Sequence, residues 1–306
     1  MVNTPTDLAR RVEELTDGVW ILAALAAAAG DGPPDGAELS DEHGALLAHA
    51  GLAEHGPDGW RLLPAHRAAL DRQADPSAFA RRVARQLRQA ADAVEDRPAP
   101  PEDDAAFVAE GVASGARVGS FLDLLAASVP GFAPVLRTSG LSVLDVGTGI
   151  GAVAATVLDR VPGSRAVGLD TDPRALRLAE EHLAGLGVRD RVDLRLLDVA
   201  DLTVDDVFDL AWLPVSVLSP DAADTALRRV HSALRPGAWL VSATAVGPNG
   251  DGGTRDAVLR WRMARSGVAP WPPEEVRRRL VAAGYRGVTP VPTPGRAVTL
   301  VVARRA

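Results

Sequence analysis

The sequence predicts an α/β protein in which a doubly wound, mostly parallel sheet follows a smaller, mainly helical domain. Three observations support this fold class. From Leu141 onward, short apolar runs alternate with helical patterns, as in a parallel sheet with crossover helices. Before Leu141, apolar residues recur at spacings of three and four, which indicates amphipathic helices. At 306 residues and 47% hydrophobic content, the chain is long enough for one large and one small domain.

The pattern of apolar and turn residues in the first hundred positions predicts a winged-helix-like arrangement. Helical patterns cover residues 7–29 and 38–50, and residues 51–63 place two apolar stretches around a Gly56 to Gly59 turn, as in a small hairpin. Further helices are expected at residues 76–95 and 101–128. We therefore predict three parts. Residues 1–100 form a helical winged-helix-like domain that serves dimerisation or covers a ligand site. Residues 101–140 form connecting helices, and residues 141–306 form the α/β domain.

The α/β domain is expected to end in an antiparallel hairpin added to the sheet. Its strands are predicted at residues 142–146, 165–170, 192–197, 208–213 and 239–245, its helices at 151–160, 173–186, 222–234 and 273–283, and the hairpin at 284–288 and 297–303.

Composition excludes several function classes. All 33 basic residues are Arg and there are 40 acidic residues, so a net charge of -7 leaves no basic excess to attract nucleic acid. The lack of Lys excludes Schiff-base chemistry, and the lack of Cys excludes thiolate nucleophiles and Cys-based metal sites. The six His do not fall at ligand spacings, so we expect no metal.

Location and assembly follow from the N-terminal residues. The chain begins without a basic segment, and its most apolar early stretch, Val19 to Ala29, is too short to span a bilayer, so we expect a cytoplasmic protein without a membrane partner. The first helix is too apolar to be left exposed, which predicts a homodimer.

A glycine-rich loop between a strand and a helix predicts a nucleotide-type cofactor site. Gly147, Gly149 and Gly151 alternate with other residues after the apolar strand, where missing side chains let a ligand approach the backbone and the helix N-terminus. The pattern is ambiguous alone, because Gly147, Gly149 and Ala152 also satisfy the dinucleotide fingerprint, with Asp170 as the ribose acid.

Acidic residues at three successive strand ends favour a cofactor other than a dinucleotide. Asp145, just before the loop, would repel a pyrophosphate but attract an ammonium group. Asp170 follows the second strand. Asp198 follows the third strand, where it can accept a hydrogen bond from an adenine amino group while Val199 packs on the ring. A cofactor with both an ammonium and an adenosine fits all three.

Four stretches of the sequence resemble the class I S-adenosylmethionine-dependent methyltransferases, which share a Rossmann-like domain. By that resemblance, the loop from Gly147 to Gly151 contacts the methionine end of S-adenosylmethionine, Asp170 the ribose hydroxyls and Asp198 the adenine, with S-adenosylhomocysteine as product. The predicted cofactor contacts are Asp145, Gly147, Thr148, Gly149, Gly151, Asp170, Thr171, Asp198, Val199 and Trp212. The N-terminal arrangement is similar to the dimerisation domain ahead of many small-molecule methyltransferases of secondary metabolism. The four matching stretches are residues 143–151, 167–173, 196–202 and 234–240.

The sequence identifies no catalytic residue. Trp212, at the end of the fourth strand, is expected either to face the cofactor and a flat substrate or to be a core residue. The long connection at residues 247–273 is typical of a functional lid, in which Arg255, Trp261 or Arg262 could bind substrate, or else these residues belong to a solvated amphipathic helix. His182 and His231 are interpreted as structural.

The sequence therefore favours a bacterial methyltransferase that acts on a small molecule of natural-product biosynthesis, mainly by positioning. Three alternatives stay open: non-methylating use of S-adenosylmethionine in a cyclisation or rearrangement, an NAD(P)-dependent oxidoreductase, and a non-catalytic regulator that binds S-adenosylmethionine and DNA. The oxidoreductase would need a catalytic Tyr or Lys, yet Lys is absent and the one Tyr is Tyr285.

Overall fold

A computed structural model describes residues 5–30, 39–71, 76–97, 103–215, 218, 220–244, 253–265, 271–293 and 298–306. The chain divides into two compact units, Met1–Pro101 and Glu102–Ala306. The helix predicted at residues 101–128, expected to connect two domains, belongs to the larger unit, because it packs on the first helix of the α/β region.

The smaller unit is mainly helical, with one short hairpin. Ser40 caps the second helix, its Oγ accepting a hydrogen bond from the His43 amide, and the hairpin turns at residues 57–58. Leu47, Leu62 and Leu70 are buried in its core. The order helix, helix, hairpin follows the sequence prediction. Its elements are α1 (Pro5–Gly30), α2 (Asp41–His49), β1 (Ala53–Gly56), β2 (Gly59–Leu62), α3 (Pro64–Asp71) and α4 (Pro76–Val94).

The larger unit alternates strands and helices and ends in the predicted hairpin. Its elements are α5 (Asp104–Ser128), β3 (Ser142–Val146), α6 (Ala152–Arg160), β4 (Arg165–Asp170), α7 (Pro173–Gly185), β5 (Val192–Leu196), β6 (Phe208–Leu213), α8 (Pro220–Ala233), β7 (Leu234–Thr244), α9 (Gly253–Arg265), α10 (Pro273–Ala282), β8 (Tyr285–Pro292) and β9 (Thr299–Arg305).

Across the described part of this unit the strands form one seven-stranded sheet in the order β5-β4-β3-β6-β7-β9-β8. The first five of these strands are parallel, and β9 and β8 add antiparallel pairs. The chain runs outward from β3 to β5 and then returns to β6 and β7 on the other side. This confirms the predicted fold class, and it places the carboxyl ends of β3, β4 and β5 along one edge.

Two predicted strands are longer in the structure. β7 begins at Leu234 and not at Trp239, because Leu234 pairs with Phe208 and an irregularity absorbs the residues before Trp239 pairs with Leu210. β8 continues to Pro292, because residues 289–292 pair with β9. Both predictions were wrong because cross-strand pairing extends strands beyond a local pattern that ends at Pro and Gly.

Both faces of the sheet are buried, as expected for parallel strands covered by helices. On β3, Val143 packs in the hydrophobic cluster that includes α5 and α6, and Leu144 packs in the cluster that includes α8 and α10. Successive side chains of β3 are therefore buried on opposite faces of the sheet. This explains why the sequence of the strand is a continuous apolar run.

α5 packs on the glycine loop and α6 through its main chain. Gly111, Gly115 and Gly119 recur every four residues and lie on one helix face. A Cβ at Gly111 would lie 2.5 Å from the Ile150 side chain, and one at Gly115 would lie 3.0 Å from the Ala152 carbonyl oxygen. The two helices can lie this close only because these side chains are missing.

We expect Gly115→Leu to lower the free energy of unfolding by roughly 1–3 kcal/mol, because the added side chain must displace α6. Ser120→Leu, at an exposed position of the same helix, is the control and should change it by less than about 0.5 kcal/mol. Urea unfolding measures both. Equal effects of the two substitutions would contradict close packing at Gly115.

Candidate functional site

The glycine loop between β3 and α6 adopts a conformation that side chains disfavour. Gly147, Gly149 and Gly151 have φ angles of 67°, 56° and 74°. The space where a Cβ of Gly149 would lie is open, with no atom within 4 Å, whereas a Cβ at Gly151 would lie 2.9 Å from Leu183. Gly149 therefore leaves its backbone open to a ligand, and Gly151 serves helix packing.

Asp145 ties this loop to the start of α6. Its side chain is fully buried, and its Oδ2 accepts hydrogen bonds from Thr148 Oγ1 at 2.7 Å and from the Ala154 amide at 3.2 Å. Its Oδ1 is buried and has no hydrogen-bond partner in the protein. Buried carboxylate oxygens without partners are costly, so this atom is suited to a ligand donor.

Burial raises the pKa of Asp145 from its ordinary value of 3.8 to about 7. Removal from water is the main cause, and the negative charge of Asp170 adds to it, while the Thr148 and Ala154 hydrogen bonds oppose it.

Asp170 holds the other side of the loop. Its Oδ2 accepts from the Gly149 amide at 2.9 Å, and its Oδ1 accepts from the Asp172 amide at 3.0 Å. Asp172 caps α7, accepting from the Arg174 amide at 2.8 Å, as its position before Pro173 predicts. Each Asp170 oxygen can accept a second bond, so the group is still able to bind two hydroxyls. Thr171 beside it is exposed.

Asp198 follows β5 at the same edge of the sheet. Its side chain is exposed and caps a short helical turn, its Oδ1 accepting from the Ala200 amide at 2.8 Å. Val199, predicted to pack on an adenine ring, is 4% exposed and packs in the protein core instead. The structure thus brings Asp145, Asp170 and Asp198 to the ends of three adjacent strands.

Trp212 lies on β6 directly opposite Asp145 in the strand register. Its side chain is only 9% exposed and packs in the cluster beneath α5 and α6. This packing fits the interpretation of Trp212 as a core residue. A role toward cofactor or substrate stays a prediction.

The predicted lid residues lie in and around α9. Trp261 is 57% exposed, with the Arg265 guanidinium 5.9 Å from its ring centre, and Arg262 is half-buried. The Arg255 side chain lies outside the described residues, as does most of the predicted connection on either side of α9. Substrate binding by Arg255, Trp261 and Arg262 therefore stays a prediction.

The two His of the larger unit occupy structural positions. His182 on α7 is half-buried and not on a fully solvated face, and burial lowers its pKa. His231 packs edge-on against Tyr285, with ring centres 4.8 Å apart, and burial lowers its pKa as well. Among the residues that the structure describes, no group of three or more His, Asp or Glu side chains could hold a metal.

Sequence reasoning missed the residues that support the loop from behind. Ile150 is 1% exposed and packs with Leu178 of α7 and with Phe107 and Val108 of α5. We call these four residues the Ile150 cluster. Ile150 stands as a single apolar residue between two glycines, which was the available signal, but its partners lie 28 to 43 residues away in sequence.

A surface recess of about 420 Å³ lies at the opposite edge of the sheet. It is lined by the first residues of three strands, Ser142, Arg165 and Val192, and by residues near them. Ligands of open α/β sheets bind at the carboxyl ends of the strands, so this recess is not the candidate site.

Residues 143–237 match the family model described as a methyltransferase domain. They form a methyltransferase domain. The match contains the glycine loop, Asp170 and Asp198, and it confirms the class that the motifs predict. Within the described residues of the whole chain, no helix is both long and apolar enough to cross a membrane.

A curated relative shares the methyltransferase domain. The release factor glutamine methyltransferase of Cereibacter sphaeroides is 36% identical over 103 residues, which is 31% of this chain and 36% of that protein. The chain thus spans about a third of the length of this relative.

Solved structures extend the likeness to the whole chain at the level of fold. The mitomycin 7-O-methyltransferase MmcR matches with a TM-score of 0.69, 21% identity and 98% of each chain. PigF, solved with SAH, matches with a TM-score of 0.70, 18% identity, 99% of this chain and 100% of its own. At these identities the likeness shows a shared fold, including the helical N-terminal region.

The stability of the ligand-free methyltransferase domain should fall as pH rises because of Asp145. Its folded pKa of about 7 lies above the value of about 4 in the unfolded chain, so the folded protein holds the extra proton between these values. This contribution to stability is complete below about pH 4 and is lost as pH rises through about 7.

Asp145→Asn removes this titration. As pH rises from 5 to 7, the free energy of unfolding of the unchanged protein should fall by about 2 kcal/mol relative to that of the variant, as measured by urea unfolding. His182 and His231 titrate in both proteins, so their effect cancels in the difference. Parallel stability curves would show that Asp145 has an ordinary pKa.

Proposed function

We propose that this chain binds S-adenosylmethionine at the carboxyl edge of β3, β4 and β5 and transfers its methyl group to a small molecule. One observation carries the proposal: Asp145, Asp170 and Asp198 lie at or next to the carboxyl ends of three adjacent strands, beside an open glycine loop. The methyltransferase family match over the same residues supports it.

The residues of this edge fit the parts of that cofactor. The unpartnered Oδ1 of Asp145 can accept a hydrogen bond from an ammonium group or from a water bound to it. Asp170 retains acceptor capacity for two ribose hydroxyls. Asp198 is exposed beside the next strand, where it can accept from an adenine amino group. The bare backbone of Gly149 allows the close approach that a side chain would block.

The same geometry disfavours a dinucleotide. A pyrophosphate binds the free amides at a helix N-terminus, but the Ala154 amide of α6 already donates to Asp145. A phosphate there would also meet the Asp145 carboxyl group. These two features argue against the oxidoreductase alternative, in addition to the missing Lys.

Bound S-adenosylmethionine would supply an electrophilic methyl group on a sulfonium. The acceptor atom would take this methyl group as the carbon–sulfur bond broke, which would leave S-adenosylhomocysteine, and any proton on the acceptor would pass to water. The protein must chiefly align the two reactants and exclude water. We infer a small-molecule acceptor in natural-product biosynthesis because the mitomycin 7-O-methyltransferase shares the fold over nearly its full length.

We also propose a homodimer that forms through α1. Leu8, Val12, Leu15 and Val19 recur at spacings of four and three, so they form one apolar stripe, and each is between 48% and 68% exposed. A second copy of the same stripe would bury both, because a two-fold interface pairs identical surfaces.

Calorimetric titration tests the cofactor. We expect S-adenosylmethionine and S-adenosylhomocysteine to bind and NAD not to bind. Asp170→Ala should weaken the adenosyl ligands by roughly ten- to a hundredfold, because it removes charged hydrogen bonds to the ribose. Asp193→Ala, which removes an exposed acid of β5, is the control and should leave affinity unchanged. Binding of NAD, or of no adenosyl ligand, would overturn the proposal.

Light scattering after gel filtration tests the dimer. Val12→Asp and Leu15→Asp place charges in the stripe and should convert a dimer to monomers, since an unpaired buried charge is strongly disfavoured. Val94→Asp changes an exposed apolar residue at the end of α4 and should leave the dimer intact. A monomer for the unchanged protein would exclude this assembly.

A further inference from the structure

The first turn of α5 is bound to α7 by ion pairs. Asp103 caps α5, its Oδ1 accepting from the Ala106 amide at 2.7 Å. Asp104 Oδ1 accepts from Arg174 Nε at 2.7 Å, and Asp104 Oδ2 accepts from Arg177 Nη2. One carboxylate thus joins two guanidinium groups on successive turns of the neighbouring helix. We call this set, Asp104 with Arg174 and Arg177, the α5–α7 clasp.

The clasp contacts the Ile150 cluster through Phe107. Phe107 lies one turn after Asp104, and the Arg174 guanidinium lies 5.3 Å from its ring centre. Phe107 also packs against the buried cluster that contains Ile150 and Leu178. Because Ile150 lies between Gly149 and Gly151, the position of the first turn of α5 is transmitted directly to the loop.

A second route leads from the clasp to the predicted ribose acid. The Arg174 amide donates to Asp172, and the Asp172 amide donates to Asp170. Asp170 in turn accepts from the Gly149 amide. The residue that holds Asp104 is therefore two hydrogen bonds from Asp170, and both routes end at the same loop.

We propose that Asp104 is a positioning residue for the cofactor: through the α5–α7 clasp it holds Ile150 and Asp170 in the arrangement that binds the adenosyl ligand. This inference rests on the proposed function. The Asp104 carboxylate forms its ion pairs with α7, so its effect on the loop passes through Arg174 and Phe107.

The electrostatics fit a clasp that depends on charge. The Arg174 and Arg177 hydrogen bonds lower the pKa of Asp104, so it is ionised at neutral pH. The three side chains are between 34% and 52% exposed, so salt can screen their attraction. The effect of breaking the clasp on ligand affinity should therefore depend on ionic strength, whereas the effect of losing apolar packing should not.

The same helix provides a matched control. Near its other end, Asp123 accepts from both terminal nitrogens of Arg160 on α6, again as an exposed carboxylate paired with a guanidinium. This pair joins α5 to α6 far along the helix from Ile150. Asp104→Asn and Asp123→Asn thus make the same chemical change on the same helix, at different distances from the loop.

The first measurement is the dissociation constant of S-adenosylhomocysteine at low and high salt. Asp104→Asn should weaken binding roughly two- to fivefold at low salt, and Asp104→Glu should restore part of the loss. The salt dependence of the affinity should be smaller in Asp104→Asn than in the unchanged protein. Asp123→Asn should match the unchanged protein in both respects.

The second measurement needs no ligand. Hydrogen exchange should be faster at the Ile150 and Gly149 amides in Asp104→Asn than in Asp123→Asn, because only the first substitution releases the turn that packs on the loop. Unchanged exchange and unchanged affinity in Asp104→Asn, or equal changes in both variants, would overturn the inference. Binding by none of the proteins, the unchanged one included, would overturn the proposed function and the inference with it.

Discussion

The architecture of the site depends on one buried carboxyl group. Asp145 lies at the end of a strand that is covered on both faces, and it joins the loop that follows the strand to the helix that follows the loop. Three glycines in the left-handed region give the loop its turn, and the Asp145 hydrogen bonds fix it in place. Because one oxygen has no partner, the carboxyl group is costly to the protein alone and is suited to a cationic ligand.

Close packing behind the loop is the second constraint. α5 approaches through Gly111 and Gly115, and Phe107 and Leu178 close around Ile150. The loop is therefore held on its inner side by helices, whereas Gly149 is left open on its outer side. A ligand can thus be bound by main-chain atoms that are already in position, which reduces the entropy lost on binding.

Much of this could be predicted from sequence, because the relevant signals are local. The strand, glycine loop and helix around Asp145 follow from residues next to each other, and Asp172 before Pro173 identifies a helix cap. The roles of Phe107, Gly111 and Asp104 could not be predicted, because they depend on contacts with residues about 35 to 75 positions away. The burial of Val199 in the core could not be predicted either, since an apolar residue at a strand end has the same local pattern whether it faces a ligand or the core.

The ion pairs of the larger unit have a further property that comes from composition. Every fixed cation of the side chains is a guanidinium, because the sequence contains no Lys, and guanidinium groups keep their charge in any solution in which the protein is folded. Mildly alkaline conditions therefore leave the three side chains of the α5–α7 clasp fully charged. The same conditions ionise Asp145, whose proton is released near neutrality. Alkalinity thus adds negative charge at the ligand-binding edge without weakening its support, and this charge attracts a ligand as long as the ligand keeps its own positive charge.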